Sequence, residues 1–525
     1  MRRAAVIVLL VFLVPGCFPS RTVHYSERGV PTGGSSFTAV AKIHFDDGTM
    51  VLMRNGFTVV GDTIVGYGPR YGMTGGLLDS GARRIVFDSI AAMTYHEDDH
   101  NGGQVLGSAL FGTWGPSITF LGLYCLVCPK CCFGCCPTVY IRNDSSQSLR
   151  AECFSYCISP FTQRGDLDLL ARDWDPGDTL HLRIANEALE THYINSLTLL
   201  AVQHAQGSEV YPTEAGDVIA VRNLRSAASV RNSRGVDVTE TVRSIDRNHY
   251  RSSMEIFSEQ SVAAEPDWLA FDLPAMPGSD SETVVLRLRN TLLSTVLFYD
   301  IVLASQGIQA IEWTRRMAEN KVYALLFSTL YEQYSGIRCL SGKPGRLRET
   351  ASIGDIGPIA WKELAIRIPA SAEAQRVQLE FFPDNVMIDR IAWSADASPE
   401  ASMRVQRLSP VDVTDYAGRD GSSALALLEK ADDAYLVHEP GDNADFTYQI
   451  PGRKGMSTSL LLASSGYYYE WLRGHWIRTA GAGEQLNIFD RAGILTRLRS
   501  RWLESRSSVA QSFFENRIPL KEVTR

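Results

Sequence analysis

A mainly β fold of the α+β class is what this 525-residue sequence predicts, and three observations carry the prediction. Apolar and polar residues alternate with period two through many short runs, turn residues punctuate those runs, and helical spacing shows around 291–335 and again at 488–514. In order, the chain reads as a signal, a tether, a small barrel, an apolar segment, β-sandwich-like domains and a C-terminal helix. At 45% hydrophobic and 21% charged residues, the composition is that of an ordinary folded body with roughly three or four domains.

Residues 1–16 read as a signal peptide. Arg2 and Arg3 precede an apolar run from Ala4 to Val14 that is too short to span a bilayer comfortably. The ending Val14-Pro15-Gly16-Cys17 resembles the lipobox of bacterial lipoproteins, with an aliphatic residue three before the cysteine and a small one directly before it. That resemblance implies cleavage before Cys17, a diacylglyceryl thioether on its sulfur and acylation of its new amino group. Residues 17–37 would then be a lipid-anchored tether. Phe18 stands where an aspartate would favour retention at the inner membrane, so the expected address is the bacterial cell envelope, with the outer membrane included. The formal net charge of -8 becomes about -10 once both arginines leave, which argues against nucleic acid as a partner.

Residues 38–100 form the barrel. AKIHFDDGTMVLM alternates around Asp47-Gly48, a hairpin signal, and FTVVGDTIVGYG and RRIVFDSIAAMTY supply further strands. The unit resembles an SH3-like or Sm-like barrel in a generic way. The histidines and acids from His96 to His100 have metal-binding chemistry, although a polar loop after a strand is the expected reading.

Residues 101–130 are almost free of charge. The length suits membrane insertion, small residues at 103, 107–108 and 112 fall four apart as in close helix pairs in lipid, and Pro116 would kink a single helix. A span, a hairpin and a buried segment all remain open. Acidic residues before it and Lys130, Arg142 and Arg150 after it favour a cytoplasmic C-terminal side, whereas lipidation favours an exported body, which is the preferred expectation.

Residues 131–245 are a cysteine-rich β domain. Cys125, Cys128, Cys131, Cys132, Cys135, Cys136, Cys153 and Cys157 are disulfide or metal candidates. Disulfides are expected in an oxidising compartment. Cys128-x2-Cys131 with Cys153-x3-Cys157 would suit zinc, and Cys125-x2-Cys128-x2-Cys131-x3-Cys135 has the spacing of an iron–sulfur loop; both stay as alternatives, and no cofactor is assigned. The strand Cys136-Pro137-Thr138-x-Tyr140 and the segment Asn186-Glu187-x-x-Glu190-Thr191 resemble those of a group of uncharacterised bacterial envelope proteins. That resemblance implies an address and no activity. Glu187, Glu190 and His192 have acid–base chemistry but read as a solvated strand edge, and 211–250 reads as a polar linker or surface excursion.

Residues 246–400 combine strands (WLAFDLP, TVVLRLRN, VQLEFFP, MIDRIAW) with the helical stretch, whose charge-free part is short enough to be core. Residues 401–525 contain a Pro440-Gly441-Asp442 turn, more strands and an amphipathic helix with Ile494, Leu495, Leu498, Trp502 and Val509 on its apolar side. Tyr467, Tyr468, Tyr469, Trp471 and Trp476 are candidate stacking residues for a glycan, against core or interface packing. No nucleophile elbow, Walker loop, dinucleotide glycine pattern or HExxH is present. The expected role is non-catalytic binding or scaffolding at a membrane, with the bilayer reached through Cys17 and 104–128 and with envelope proteins or glycans as partners. The alternatives are a cysteine-based metal or redox protein and a glycan-binding module.

Overall fold

A computed structural model describes the chain apart from residues 1–22, 27–35, 39, 46, 73–76, 97–135, 144–145, 156, 176, 247, 253–265, 278–279, 355, 399–402, 454, 474–475, 477–489, 516–517, 519 and 522–525. It is mainly β with a helical layer, as the alternating pattern predicts. Cys17, the apolar segment 101–130 and the thiols from Cys125 to Cys135 lie outside the described residues.

The first unit is a half-barrel of β1 (Val23–Ser26), β2 (Ser36–Phe37), β3 (Ala41–Phe45), β4 (Met50–Met53), β5 (Phe57–Val60), β6 (Thr63–Tyr71), β7 (Leu77–Val86) and β8 (Ile90–His96). The strand order is β1-β8-β3-β4-β6-β5-β2, with β7 added to β6. Ala41, Ile43, Val51, Met53, Phe57, Val59, Ile64 and Ile85 fill its concave side. Gly48, at φ 79°, makes the Asp47-Gly48 turn that joins β3 to β4.

The chain then starts a sandwich with β9 (Thr138–Asn143), β10 (Ser146–Glu152), β11 (Arg164–Ala171), β12 (Thr179–Ala185) and β13 (Glu190–Ala205). It leaves through β14 (Glu209–Pro212) and β15 (Val218–Arg222) into a second sandwich. That body contains β16 (Arg225–Ser226), β17 (Val230–Asn232), β18 (Tyr250–Arg251), β19 (Asp267–Leu273), β20 (Ser281–Asn290), β21 (Ile337–Lys343), β22 (Arg346–Ile353), β23 (Lys362–Pro369), β24 (Gln375–Phe381) and β25 (Val386–Ser394), with β26 (Asp396–Ser398) at its exit. The first sandwich is completed only on return, by β27 (Arg404–Leu408), β28 (Asp412–Asp415), β29 (Leu436–His438), β30 (Asn443–Gln449) and β31 (Met456–Glu470).

Its two sheets run β10-β9-β12-β30-β28 and β11-β31-β13-β27, with β29 also on β13. Segments expected to form separate domains, 131–245 and 401–525, share both sheets. The physical cause is the β13–β31 pair, which holds register from Glu190 opposite Glu470 to Ala205 opposite Met456. The second sandwich packs β16-β25-β20-β23 on β17-β19-β24-β21-β22 over a core of Leu269, Phe271, Leu286, Ile366, Leu379 and Ile388. The expected linker at 211–250 is instead structural: β14, β15 and β26 make a small sheet between the bodies. Val210, Val218 and Ala220 bury one face against Leu200, Val202 and Leu461, while Tyr211, Ile219 and Val221 bury the other against Val285, Ala365 and Ala392.

A helical layer covers one side. It comprises α1 (293–306), whose middle Leu297–Leu303 is a π-helix, then α2 (Ala310–Glu319), α3 (Lys321–Ser335) and α5 (Arg491–Glu515); a short α4 (Gly421–Ala426) lies in the first sandwich. Asn320 separates α2 from α3 and caps the latter, its side chain accepting from Tyr323 N at 3.0 Å. The expected closing helix is α5: Ile494, Leu495, Leu498, Trp502 and Val509 are all buried, and Arg501 on its polar side donates to Asp300 at 2.7 Å. Among the described residues, no helix is long and apolar enough to cross a membrane.

Candidate functional site

Among the described residues, two groups of polar side chains differ in access. The first is a closed junction built on the Asn186–Thr191 segment. Asn186 Oδ1 accepts from Ala188 N at 3.1 Å and so shapes the turn between β12 and β13. Its amide nitrogen donates to Glu190 O and His438 O, at 2.7 and 3.1 Å. The Glu439-Pro440-Gly441-Asp442 turn has Gly441 at φ 83° and is closed by Asp442 N donating to Glu439 O at 2.8 Å. The two turns are stitched together: Asn186 N donates to Asp442 O and Gly441 N to Asn186 O, both at 2.9 Å.

Three cations enter this junction from elsewhere. Arg54 of β4's following turn donates to Asp442 Oδ2 at 2.8 Å, and Lys521 of the C-terminal tail donates to Asp442 Oδ1 at 2.5 Å. Lys42 of β3 donates to Thr191 Oγ1 and lies 3.8 Å from Glu439. Thr191 in turn donates to Glu439 Oε2 at 2.7 Å and accepts from Trp471 Nε1 at 2.9 Å. Burial pushes the Lys42 ammonium down from its usual range, while Glu439 pulls it back. Glu187 accepts from Thr138 Oγ1 at 2.9 Å and Tyr140 Oη at 2.6 Å.

Glu187, Glu190 and His192 are thus buried, at 6, 0 and 0% exposure, and do not form the solvated edge that the sequence suggested. His192 Nε2 lies 2.7 Å from Glu190 Oε1. Glu190 faces Glu470 across the β13–β31 pair, and Glu470 receives hydrogen bonds from Tyr299 and Arg473. Burial, with the neighbouring Glu190, holds the Glu470 carboxyl well above the usual range, against the pull of Arg473. The cavity beside this group, lined by Lys42, His44, Glu470 and Trp471, is about 20 Å³, room for a single water. No substrate could reach these acids without opening the fold.

The second place is open. A cleft of about 220 Å³ lies where β10 and β11 of the first sandwich meet β20 and the start of β23 of the second. Arg150, Arg172, Arg287, Trp361 and Glu363 line it. Arg172 makes a two-pronged bond to Glu363, at 3.1 and 2.7 Å, and its guanidinium lies 4.7 Å from the Tyr211 ring. Arg287 pairs with the buried Asp389 and lies 4.8 Å from the Trp361 ring, with Arg289 at 4.9 Å. Arg150 is exposed, and its Nε donates to Ser148 Oγ at 3.2 Å; no carboxylate among the described residues is within ion-pair distance of it.

The cleft's walls are fixed. Glu152 on β10 accepts from Ile359 N at 2.8 Å and so pins the loop that carries Trp361. Gly357 in that loop has φ 78°, a conformation that favours glycine, and a Cβ there would displace the Glu152 carboxylate, whose Oε2 lies 2.4 Å away. On the reverse side of the same strand start, Lys362 bridges Asp166 and Asp168 of β11. Burial, reinforced by Asp166, raises the Asp168 carboxyl to about 7 despite Lys362.

The remaining sequence candidates fall as follows. Tyr467, Tyr468, Tyr469, Trp471 and Trp476 are 1–5% exposed, so their ring faces are occupied by protein and none offers a platform to a sugar. Tyr467 and Tyr469 point into the sandwich core, Tyr468 and Trp476 into the helical layer. Cys136, Cys153, Cys157 and Cys339 are buried. Burial, then Asp168, keeps the Cys153 thiol well above its usual range, hence inert. No group of three or more metal-ligating side chains is found among the described residues. The sequence carries no local signal for the cleft, because its lining comes from four separate strands.

No family model matches the chain, and no curated protein matches it. Among solved structures, an uncharacterized protein of Listeria monocytogenes EGD-e aligns at 8% identity over 65% of this chain and 31% of its own, with a TM-score of 0.16. The stem and receptor binding domain of the spike protein P1 from bacteriophage PM2 aligns at 9% identity over 52% of this chain and 97% of its own, with a TM-score of 0.12. The infectious bursal disease virus Gt strain structure gives 9% identity, 88% and 85% coverage, and a TM-score of 0.12. This chain spans about a third of the Listeria protein, and overlaps this slight carry no functional weight.

Proposed function

We propose that the chain is a lipid-anchored bacterial envelope protein that binds a small anionic group, such as an acidic saccharide, in the cleft between its two sandwiches, without catalysis. The observation that supports this reading is the cleft's chemistry: an open 220 Å³ space with an arginine that has no acidic partner among the described residues and an indole at its wall. Its volume lies below the roughly 300–1,000 Å³ usual for drug-sized ligands, which suits a monosaccharide or a single acid group. Arg150 supplies the charge that recognises a carboxylate or phosphate. The envelope address rests on the lipobox-like Val14–Cys17 ending.

Calorimetric titration of the purified protein with glucuronate, glucose 6-phosphate and glucose tests the binding. Both acids should bind, glucose should bind far more weakly, and Arg150→Ala should weaken the acids about tenfold, which is 1.4 kcal/mol. Absence of binding by either acid at millimolar concentration sinks the ligand proposal. Intact-mass analysis of membrane-extracted protein tests the anchor separately: acyl mass on a chain beginning at Cys17 is expected.

A further inference from the structure

The half-barrel presents an outward sheet face on which several large apolar side chains are exposed. Val60 on β5 is 55% exposed, Tyr67 on β6 61% and Val86 on β7 46%. The register places them together: Val60 lies opposite Thr63, Thr63 opposite Val86, Val65 opposite Arg84 and Tyr67 opposite Ala82. Opposed residues share a face, as do alternate residues along a strand. The other face of the same strands carries Phe57, Val59, Ile64 and Ile85 into the core. Toward the hairpin end, Leu77 and Leu78 are also exposed, at 63 and 57%. On the outward face of these three strands, Arg84 is the single charged side chain among the described residues, and no acid stands there.

We infer that this face lies against the lipid bilayer, so that the half-barrel is a membrane-contacting foot for the two sandwiches, an inference that rests on the lipid anchor proposed above. The leash identifies the occupant. Only Phe18 to Thr22 separate Cys17 from the start of β1 at Val23, and at about 3.3–3.6 Å per residue the reach from Cys17 to Val23 is roughly 20 Å. A domain held that closely to its acyl chains meets the bilayer surface continually. Tyrosine prefers the interface between lipid tails and headgroups, and a lone arginine beside it complements headgroup phosphates.

The test uses the full chain in its host membranes, with a benzophenone-bearing residue in place of Tyr67, of Val86 or, as a control, of Val236, which is 53% exposed on the second sandwich. After irradiation, mass analysis should find adducts of phospholipid mass at positions 67 and 86 and none at 236. Protein adducts at 67 and 86, equal lipid labelling at all three positions, or no adduct at any of them would overturn the inference. The same spectra count acyl groups on Cys17. An acylated chain without lipid adducts at 67 defeats the membrane foot alone, whereas a chain without acyl mass defeats the anchor on which it stands.

Discussion

The junction around Asp442 and the cleft around Trp361 are made from the same residue types, arginine, lysine, acids and tryptophan, yet one is shut and the other open. At the junction, five parts of the chain converge and nearly every polar group has a partner within the protein. Asp442, with no exposure, accepts from Arg54, Lys521 and the Glu439 amide. In the cleft, Arg172 and Arg287 are committed to Glu363 and Asp389, and Arg150 is left over. Saturated charge inside a protein fixes geometry; unsaturated charge at a rim is available to a ligand.

The largest expected effect that would break this comparison is Asp442→Ala. It leaves two cations and a backbone N–H without their acceptor, and denaturant unfolding should show a loss of about 3–5 kcal/mol. A loss under 1 kcal/mol would mean that the junction is ornamental. Thr191→Val keeps the shape but strips one donor and one acceptor from Lys42, Trp471 and Glu439, and thermal and denaturant unfolding should register about 2 kcal/mol.

Acidity separates buried groups with opposite signs. Asp168 has its folded pKa raised to about 7 by burial and Asp166, so the native state holds a proton that the unfolded chain has released, and its contribution to stability is lost as pH rises from about 4 to 7. His44 has its folded pKa lowered to about 3 by burial and Lys42, so its contribution is lost as pH falls from about 6.5 toward 3. Relative to the parent, Asp168→Asn should therefore tilt stability upward with pH across 4–6.5, and His44→Gln should tilt it downward. Unfolding curves at several pH values check both, and identical slopes in all three proteins would refute the assignment. The smallest stability effect belongs to the cleft: Arg150→Ala should shift unfolding by no more than about 0.5 kcal/mol while weakening the acidic ligand.

The sequence made strand identity legible, because period-two runs such as TVVLRLRN and VQLEFFP state it locally, and the same holds for α5 and the Pro440-Gly441 turn. It did not disclose which strands share a sheet. Glu190 pairs with Glu470, and no local pattern encodes a partner so distant. The acids of the Asn186–Thr191 segment read as solvated for the same reason: Thr138 and Tyr140, which donate to Glu187, and β31, which covers Glu190, come from other parts of the chain. The aromatic run at 467–471 was ambiguous because β31 is covered on both faces, by the sandwich core and by the helical layer, so its alternation separates one core from another and not core from water.

The insertion of one sandwich within another has a consequence in time. β13 ends at Ala205 and its long partner β31 begins at Met456, about 250 residues later. At a synthesis rate of about 5–20 residues per second, roughly 10 to 50 seconds pass between the emergence of the two strands. Throughout that interval β13 lacks its long partner, while the inserted body has every strand it needs once Ser398 has emerged. The inner sandwich can fold first and the outer one must wait, so a chaperone that shields β13 until β31 arrives would act on the step at which this chain is most prone to aggregate.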